Sequence, residues 1–260
     1  MSSQANAGWA RLQCIRLASN QGIGAGYNIG YEHCSRNAWA VMRGESDVEL
    51  TANCLEVLMQ VLLELSDVGI VGAKGVPFDA TQDTDNAARY MNWWTGALYA
   101  RPIVERADCD CVFGGTFLIR AECLHKMKYF FPRDRFLASE LELCTRVKRN
   151  GFRVVCEPMA VALHKGARST HRLCHWKFAY ISQKEMTLFQ LKYNAFPRLA
   201  VWLGYSILRA MKRSLSGDPS FLLALRDSLR CTIRRADTNL PGRAPGQAPL
   251  TVPEWLELPD

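Results

Sequence analysis

An α/β fold, with a mostly parallel sheet flanked by helices, is what this sequence predicts, and three observations carry it. "VGIVGAKG" (68–75) and "FRVVCEP" (152–158) are strand-like apolar runs. "TANCLEVLMQVLLEL" (51–65) is apolar at helical spacing, and "ASELELCTRVKRNG" (138–151) reads as a helix closed by Gly151. Strand and helix patterns alternate along the chain, as they do in βα units.

Taken in order, "LQCIRLA" (12–18) reads as a short strand followed by glycine and asparagine. Residues 31–39 can form a helix, and "AWAVMRG" (38–44) is a second strand ending at "ESDVEL". The 51–65 helix has Thr51 or Asn53 as its N-cap. The 68–75 strand comes next, and residues 77–106 read as irregular and polar around "NWW". "CDCVFGGTFLIRAECL" is strand, glycine break, strand and helix start. "FRVVCEP" is expected to stop at Pro158. After Lys165 two helical stretches, 176–196 and 198–215, are apolar on one side and basic on the other. "SGDPS" separates them from a third, 221–236, and a Pro/Gly-rich tail follows. The expected organisation is a domain over 1–195, a basic amphipathic helical segment over 196–236 and a tail over 237–260.

With 260 residues, 48% of them hydrophobic, the chain can bury a sizeable core, and global disorder is excluded. The formal net charge of +7 is concentrated late. Residues 165–235 hold 14 Lys/Arg against 3 Asp/Glu, a balance of +11, so the rest carries −4. That surplus suits an anionic neighbour such as a membrane surface or a phosphate-rich ligand, whereas no nucleic-acid-reading motif is present. The ten cysteines contain no C-x-x-C pair and sit mostly beside apolar residues, which predicts reduced, buried thiols. The first residues lack the apolar core of a signal peptide, and no apolar run is long enough to span a bilayer. A cytoplasmic protein is the expectation, its basic helices either lying on the inner face of the cytoplasmic membrane or packing on the domain with a basic face to solvent.

Ligands on α/β sheets gather at the carboxyl ends of strands, which directs attention to residues 20–28, Asp47, Gly114, Gly115 and the stretch after Pro158. "NQGIGAGYNIG" (20–30) is neither a G-x-G-x-x-G nor a phosphate-loop motif, and taken singly it means a tight strand-to-helix turn. "GESDVEL" puts Asp47 just past a strand with Glu45 and Glu49 beside it, which suits a hard divalent cation or merely a solvated turn. "SELEL" puts Glu140 and Glu142 in the first turn of a helix, on different faces because i and i+2 do not meet. His164 ends "AVALHKG". His171, Cys174 and His175 lie close in sequence, without the H-E-x-x-H or distant paired cysteines that would support zinc.

Taken together, the order and spacing of "NQGIGAGYNIG", "ESDVEL", "GGTFLIR", "SELELCTRVKRNGF" and "PMAVALHKGARS" resemble glycosyltransferase family 2, specifically its rhamnosyltransferase-like members, over roughly residues 12–195. The resemblance implies a GT-A-like fold. It implies transfer of a sugar, with inversion, from a nucleoside diphosphate sugar to a glycan or lipid-linked acceptor. By the same resemblance Glu140 is the catalytic base, standing where the family has Asp. Asp47 and His164 hold Mg²⁺ or Mn²⁺, and Asn20, Gly22, Gly26, Asn28, Gly114, Gly115 and Glu142 contact substrate. Ser139 and Glu45-Ser46 depart from the family pattern. Family members open with further nucleotide-binding strands, so "LQCIRLA" matches a later strand. The resemblance thus implies N-terminal truncation by some ~60 residues, enough for two strands and their helices. Two other readings stand beside transfer: an inactive fragment serving as a glycan- or partner-binding module, and a peripheral membrane-binding module.

Overall fold

The computed structural model describes residues 13–19, 23–78, 88–127, 139–165 and 175–238, the last six without their side chains. Helix α1 (Ile23–Glu32) precedes strands β1 (Ala40–Gly44) and β2 (Val48–Leu50), helix α2 (Cys54–Glu64) and strand β3 (Val68–Pro77). Strands β4 (Ala88–Asn92), β5 (Ala97–Arg101), β6 (Ala107–Asp108) and β7 (Thr116–Arg120) follow. Next come α3 (Ala121–His125), α4 (Ser139–Arg149), β8 (Arg153–His164), and the helices α5 (His175–Tyr193), α6 (Arg198–Leu215) and α7 (Ser220–Thr238).

The α/β layering expected from the sequence is present. The sheet runs β1-β7-β3-β8-β2, with β6 also on β8. Its inner residues alternate between two cores, because successive side chains of a strand point to opposite faces. Ile70, Phe117, Ile119, Val154 and Cys156 meet Leu143, Cys144 and Val147 of α4. Val71, Leu118 and Val155 meet Cys54, Leu58, Val61 and Leu62 of α2. The expectation of mostly parallel strands holds for the central and longest pair, β3–β8, while the shorter pairs β1–β7, β3–β7, β2–β8 and β6–β8 are antiparallel. A long crossover through α4 permits the parallel pair, whereas short strands joined by loops can turn back on their neighbours.

Five local expectations are corrected. Residues 13–19 form no strand and are largely exposed, since no described neighbour offers them a ladder. The helix lies at 23–32, within the glycine-rich stretch, and not at 31–39. Residues 77–106 contain the hairpin β4–β5, joined by a turn in which the Asn92 side chain accepts from the Trp94 and Thr95 amides and Gly96 takes φ +72°. Residues 79–87 lie outside the described residues. Strand β8 passes through Pro158, because its register against β3 jumps from Ala73–Glu157 to Lys74–Val161. The three intervening residues bulge out, so proline's missing donor breaks no ladder bond.

"CDCVF" (109–113) is not the expected strand, Cys111 making only an isolated bridge to Arg89, while β7 and α3 follow it as expected. Gly151 caps α4 at φ +86°. Asn53 stands at the N-cap of α2, without a side-chain capping bond. Nine cysteines among the described residues are free, six of them buried. Burial pushes the Cys54 thiol up to about 11 and Cys123 up to about 12, which keeps both protonated and unreactive. No described helix is long and apolar enough to cross a membrane.

Candidate functional site

Strands β1 and β2 are consecutive in sequence yet form the two edges of the sheet path, so residues 45–47 bridge them across one end. Two backbone bonds pin that bridge: the Glu45 amide donates to the Gly115 carbonyl at 3.0 Å, and the Lys165 amide to the Asp47 carbonyl at 3.0 Å. The register places Gly44 opposite Thr116, Val48 opposite His164, and His164 opposite Pro77. Glu45, Asp47, Gly114, Gly115 and His164 therefore share one end of the sheet, which also holds the C-termini of β3 and β8.

Arg43 organises this end. Its side chain is fully buried, with one guanidinium nitrogen 2.8 Å from Glu140 Oε1 and another 2.5 Å from Glu45 Oε1. It also donates to the Gly114 carbonyl and lies 4.4 Å from the centre of the Tyr27 ring. Ser139 donates to the second oxygen of Glu140 at 3.1 Å. A Cβ on Gly114 would stand 3.0 Å from the Glu140 carboxylate and 3.1 Å from Arg43, so the bare backbone lets the acid and the guanidinium meet there. A Cβ on Gly115 would stand 2.4 Å from the Phe113 ring and 2.8 Å from Val48. That ring in turn packs edge-on against the His164 imidazole at 5.3 Å.

His164 Nε2 lies 3.5 Å from Asp47 Oδ2, and one ligand atom each of Glu45, Asp47 and His164 falls within 4.8 Å of the others. All three are partly exposed. Burial raises the Glu45 carboxyl above its ordinary value; Arg43 opposes that shift, and the Glu140 and Asp47 charges add to it. Three carboxylates thus share one end with one guanidinium and one imidazole. That surplus of negative charge, and a donor set of two carboxylates with one imidazole, fit a divalent cation such as Mg²⁺ or Mn²⁺.

The two acids of "SELEL" part ways. Glu140 is in the cluster. Glu142, expected to contact substrate, is fully buried between α4 and α5, 2.7 Å from Arg146 Nε and 2.8 Å from Lys192 Nζ, and it accepts from the Tyr193 hydroxyl. Burial would raise its carboxyl, yet Arg146 and Lys192 outweigh burial and hold it below the usual carboxylate range. Burial and the Glu142 charge push the Tyr193 phenol up to about 12. Glu142 therefore ties helices together.

Of the remaining expected residues, Gly26 and Asn28 lie on α1, Asn28 buried, and a Cβ on Gly26 would meet nothing within 4 Å. Asn20 and Gly22 lie outside the described residues, as do His171 and Cys174. Sequence reasoning missed Arg43 and Tyr27. The available signal for Arg43 was a lone cation inside the apolar strand "AWAVMRG".

No protein-family model and no curated protein matches the sequence. Solved structures do. TarS from S. aureus aligns with a TM-score of 0.51 at 14% identity, covering 85% of this chain and 64% of its own. The chain has a GT-A glycosyltransferase fold. A mannosyltransferase from Pyrobaculum calidifontis in complex with GDP-Man and Mn²⁺ aligns at 0.49 and 13% identity, covering 89% of this chain and 58% of its own. GalNAc-T7, with UDP, GalNAc and Mn²⁺, aligns at 0.46 and 12%, covering 58% and 31%. The chain spans less than two thirds of the length of each of these structures.

Proposed function

We propose that the chain is a glycosyltransferase that moves a sugar, with inversion, from a nucleoside diphosphate sugar to a hydroxyl of a glycan or lipid-linked acceptor. The observation that carries this reading is the meeting of Glu140 with Glu45, around buried Arg43, at the sheet end where Asp47 and His164 also lie. Four segments distant in sequence converge there on a GT-A fold, in the order of the glycosyltransferase family 2 motifs.

The chemistry assigns each group a task. A sugar hydroxyl is a poor nucleophile, so Glu140 accepts its proton as the oxygen attacks the anomeric carbon. The bond from that carbon to the diphosphate oxygen breaks, and the diphosphate leaves with the electron pair. A single displacement from the opposite face inverts the anomeric centre. Arg43 holds one oxygen of Glu140 in place, and Ser139 fixes the second. Asp47 and His164, with Glu45, would hold a divalent cation. Such a cation would supply charge neutralisation for the departing diphosphate without proton transfer. The bare backbone of Gly114 lets Glu140 and Arg43 meet beside it, and that of Gly115 lets the Phe113 ring pack under His164.

The test is nucleotide release and sugar transfer from a panel of UDP- and GDP-sugars with Mn²⁺ or Mg²⁺. Glu140→Gln should abolish turnover while donor binding stays near normal. A second reading, a non-catalytic glycan- or partner-binding module, is favoured by one feature: Arg43 engages both Glu45 and Glu140, which satisfies these acids without substrate. A folded protein that binds glycans but releases no nucleotide from any donor would favour it.

A further inference from the structure

Helix α6 has an unusual outer face. It docks on the body through Trp202, Ser206 and Ala210, which are buried against α5 and α7 residues including Ala179, Phe221 and Leu225. Gly96 makes this docking possible, since a Cβ there would stand 2.4 Å from Trp202 Nε1. A helix docked by one face normally turns polar residues to water on the other. Instead, Val201, Leu208, Met211 and Leu215 are 50%, 67%, 54% and 89% exposed. With Gly204 they recur at alternating steps of three and four, one stripe roughly 21 Å long at 1.5 Å per residue.

Charge decides what covers the stripe. Helix α6 contains Arg198, Arg209, Lys212 and Arg213 and no acidic residue. Lys212 is exposed, one turn from both Leu208 and Leu215 and so on the face of the stripe. Arg209 is exposed beside it and lies 5.5 Å from the Tyr205 ring. Arg213 is engaged by Asp218 and adds little. Two copies of this helix laid face to face would bring cation against cation with no acid between them, a repulsive arrangement. A bilayer with anionic headgroups has the opposite complementarity. Apolar side chains enter the interface, while lysine and arginine stems lie along it and keep their charges at the headgroups.

We infer that α6 is an interfacial helix that lays its Val201–Leu215 stripe into an anionic bilayer surface, such as the cytoplasmic leaflet, without crossing it. This goes beyond the transfer reading and does not rest on it. It would hold the chain at the surface where lipid-linked acceptors reside.

The experiment is flotation of the full chain with vesicles of phosphatidylcholine alone and of phosphatidylcholine mixed with phosphatidylglycerol, in low salt and in about 1 M salt, where screening is nearly complete. The protein should float with the anionic vesicles in low salt, be largely released by high salt, and stay with the soluble fraction over phosphatidylcholine. Replacing exposed stripe residues, Leu208→Glu with Met211→Glu, should abolish flotation without changing the circular-dichroism melt. Arg209→Gln with Lys212→Gln should weaken partitioning by about 25-fold, near fivefold per charge, and serves if the first pair melts differently from wild type. Equal binding to both lipids, binding to neither, or a self-associated species that Leu208→Glu dissociates in sedimentation velocity would each overturn the inference.

Discussion

Glu140 and Glu142 are two residues apart on one helix and have opposite fates. Residues at i and i+2 project from different faces. One face of α4 meets the open end of the sheet, where Glu140 shares buried Arg43 with Glu45 and remains partly exposed. The other is closed by α5, where Glu142 is fully buried among Arg146, Lys192 and Tyr193. A buried carboxylate with satisfied partners on its own and the next helix holds the fold. A half-open carboxylate beside Glu45, Asp47 and His164 stays within reach of solvent. The lesson is that an acidic motif does not assign its own roles; the packing of the helix that carries it does.

That contrast can be broken from either side. The largest effect is expected at the closed face. Glu142→Gln removes the buried charge that Arg146 and Lys192 both engage, and unfolding in urea should show a loss of about 3 kcal/mol, near the lower end for breaking a buried pair. At the open face, Gly115→Ala forces a methyl against the Phe113 ring that supports His164. The urea midpoint should fall by the equivalent of about 1–3 kcal/mol, and Mn²⁺ binding by calorimetry should weaken with it. Asp47→Ala should weaken Mn²⁺ binding by about tenfold or more with an unchanged melting temperature, because the Asp47 side chain is 38% exposed.

The smallest effect is in acid. The Glu142 carboxyl is held below its usual range in the folded chain, so its contribution is present above the unfolded value of about 4.3 and is lost as pH falls further. Urea midpoints of the wild type and Glu142→Gln should therefore differ at pH 7 and converge below roughly pH 4. A gap that stays constant across that range would mean the carboxylate's charge is not what stabilises the helix pair.

Much of this was legible in the sequence. Helix α2, strand β3, helix α4 with its Gly151 cap, and helices α6 and α7 follow apolar patterns that burial on one or both faces imposes directly, whereas α5 buries Gln183, Glu185, Thr187 and Gln190 beside its apolar residues. The β4–β5 hairpin was hidden because "NWWTG" makes its turn through an Asn92 side chain and one left-handed glycine, not through alternation. Strand β8 ran on past Pro158 because a bulge, invisible locally, removes the need for that donor. At the site, motif order pointed to Asp47, Gly114, Gly115, Glu140 and His164, and the fold brings them to one sheet end. Arg43 was not legible: its role depends on Glu140, 97 positions later, and on a glycine that leaves room for both. The burial of Glu142 was not legible either, because its partners Lys192 and Tyr193 lie on a helix about 50 residues on.

The most direct test measures nucleotide-sugar turnover per folded molecule for Glu140→Gln and Glu142→Gln side by side, with thermal midpoints recorded on the same samples. The account predicts that Glu140→Gln loses at least about 100-fold in kcat at a nearly unchanged midpoint, and that Glu142→Gln melts earlier while its folded fraction turns over at close to the wild-type rate. Wild-type kcat in Glu140→Gln would contradict the assignment of the base, and a stable but inactive Glu142→Gln would show that the two acids had been assigned the wrong way round.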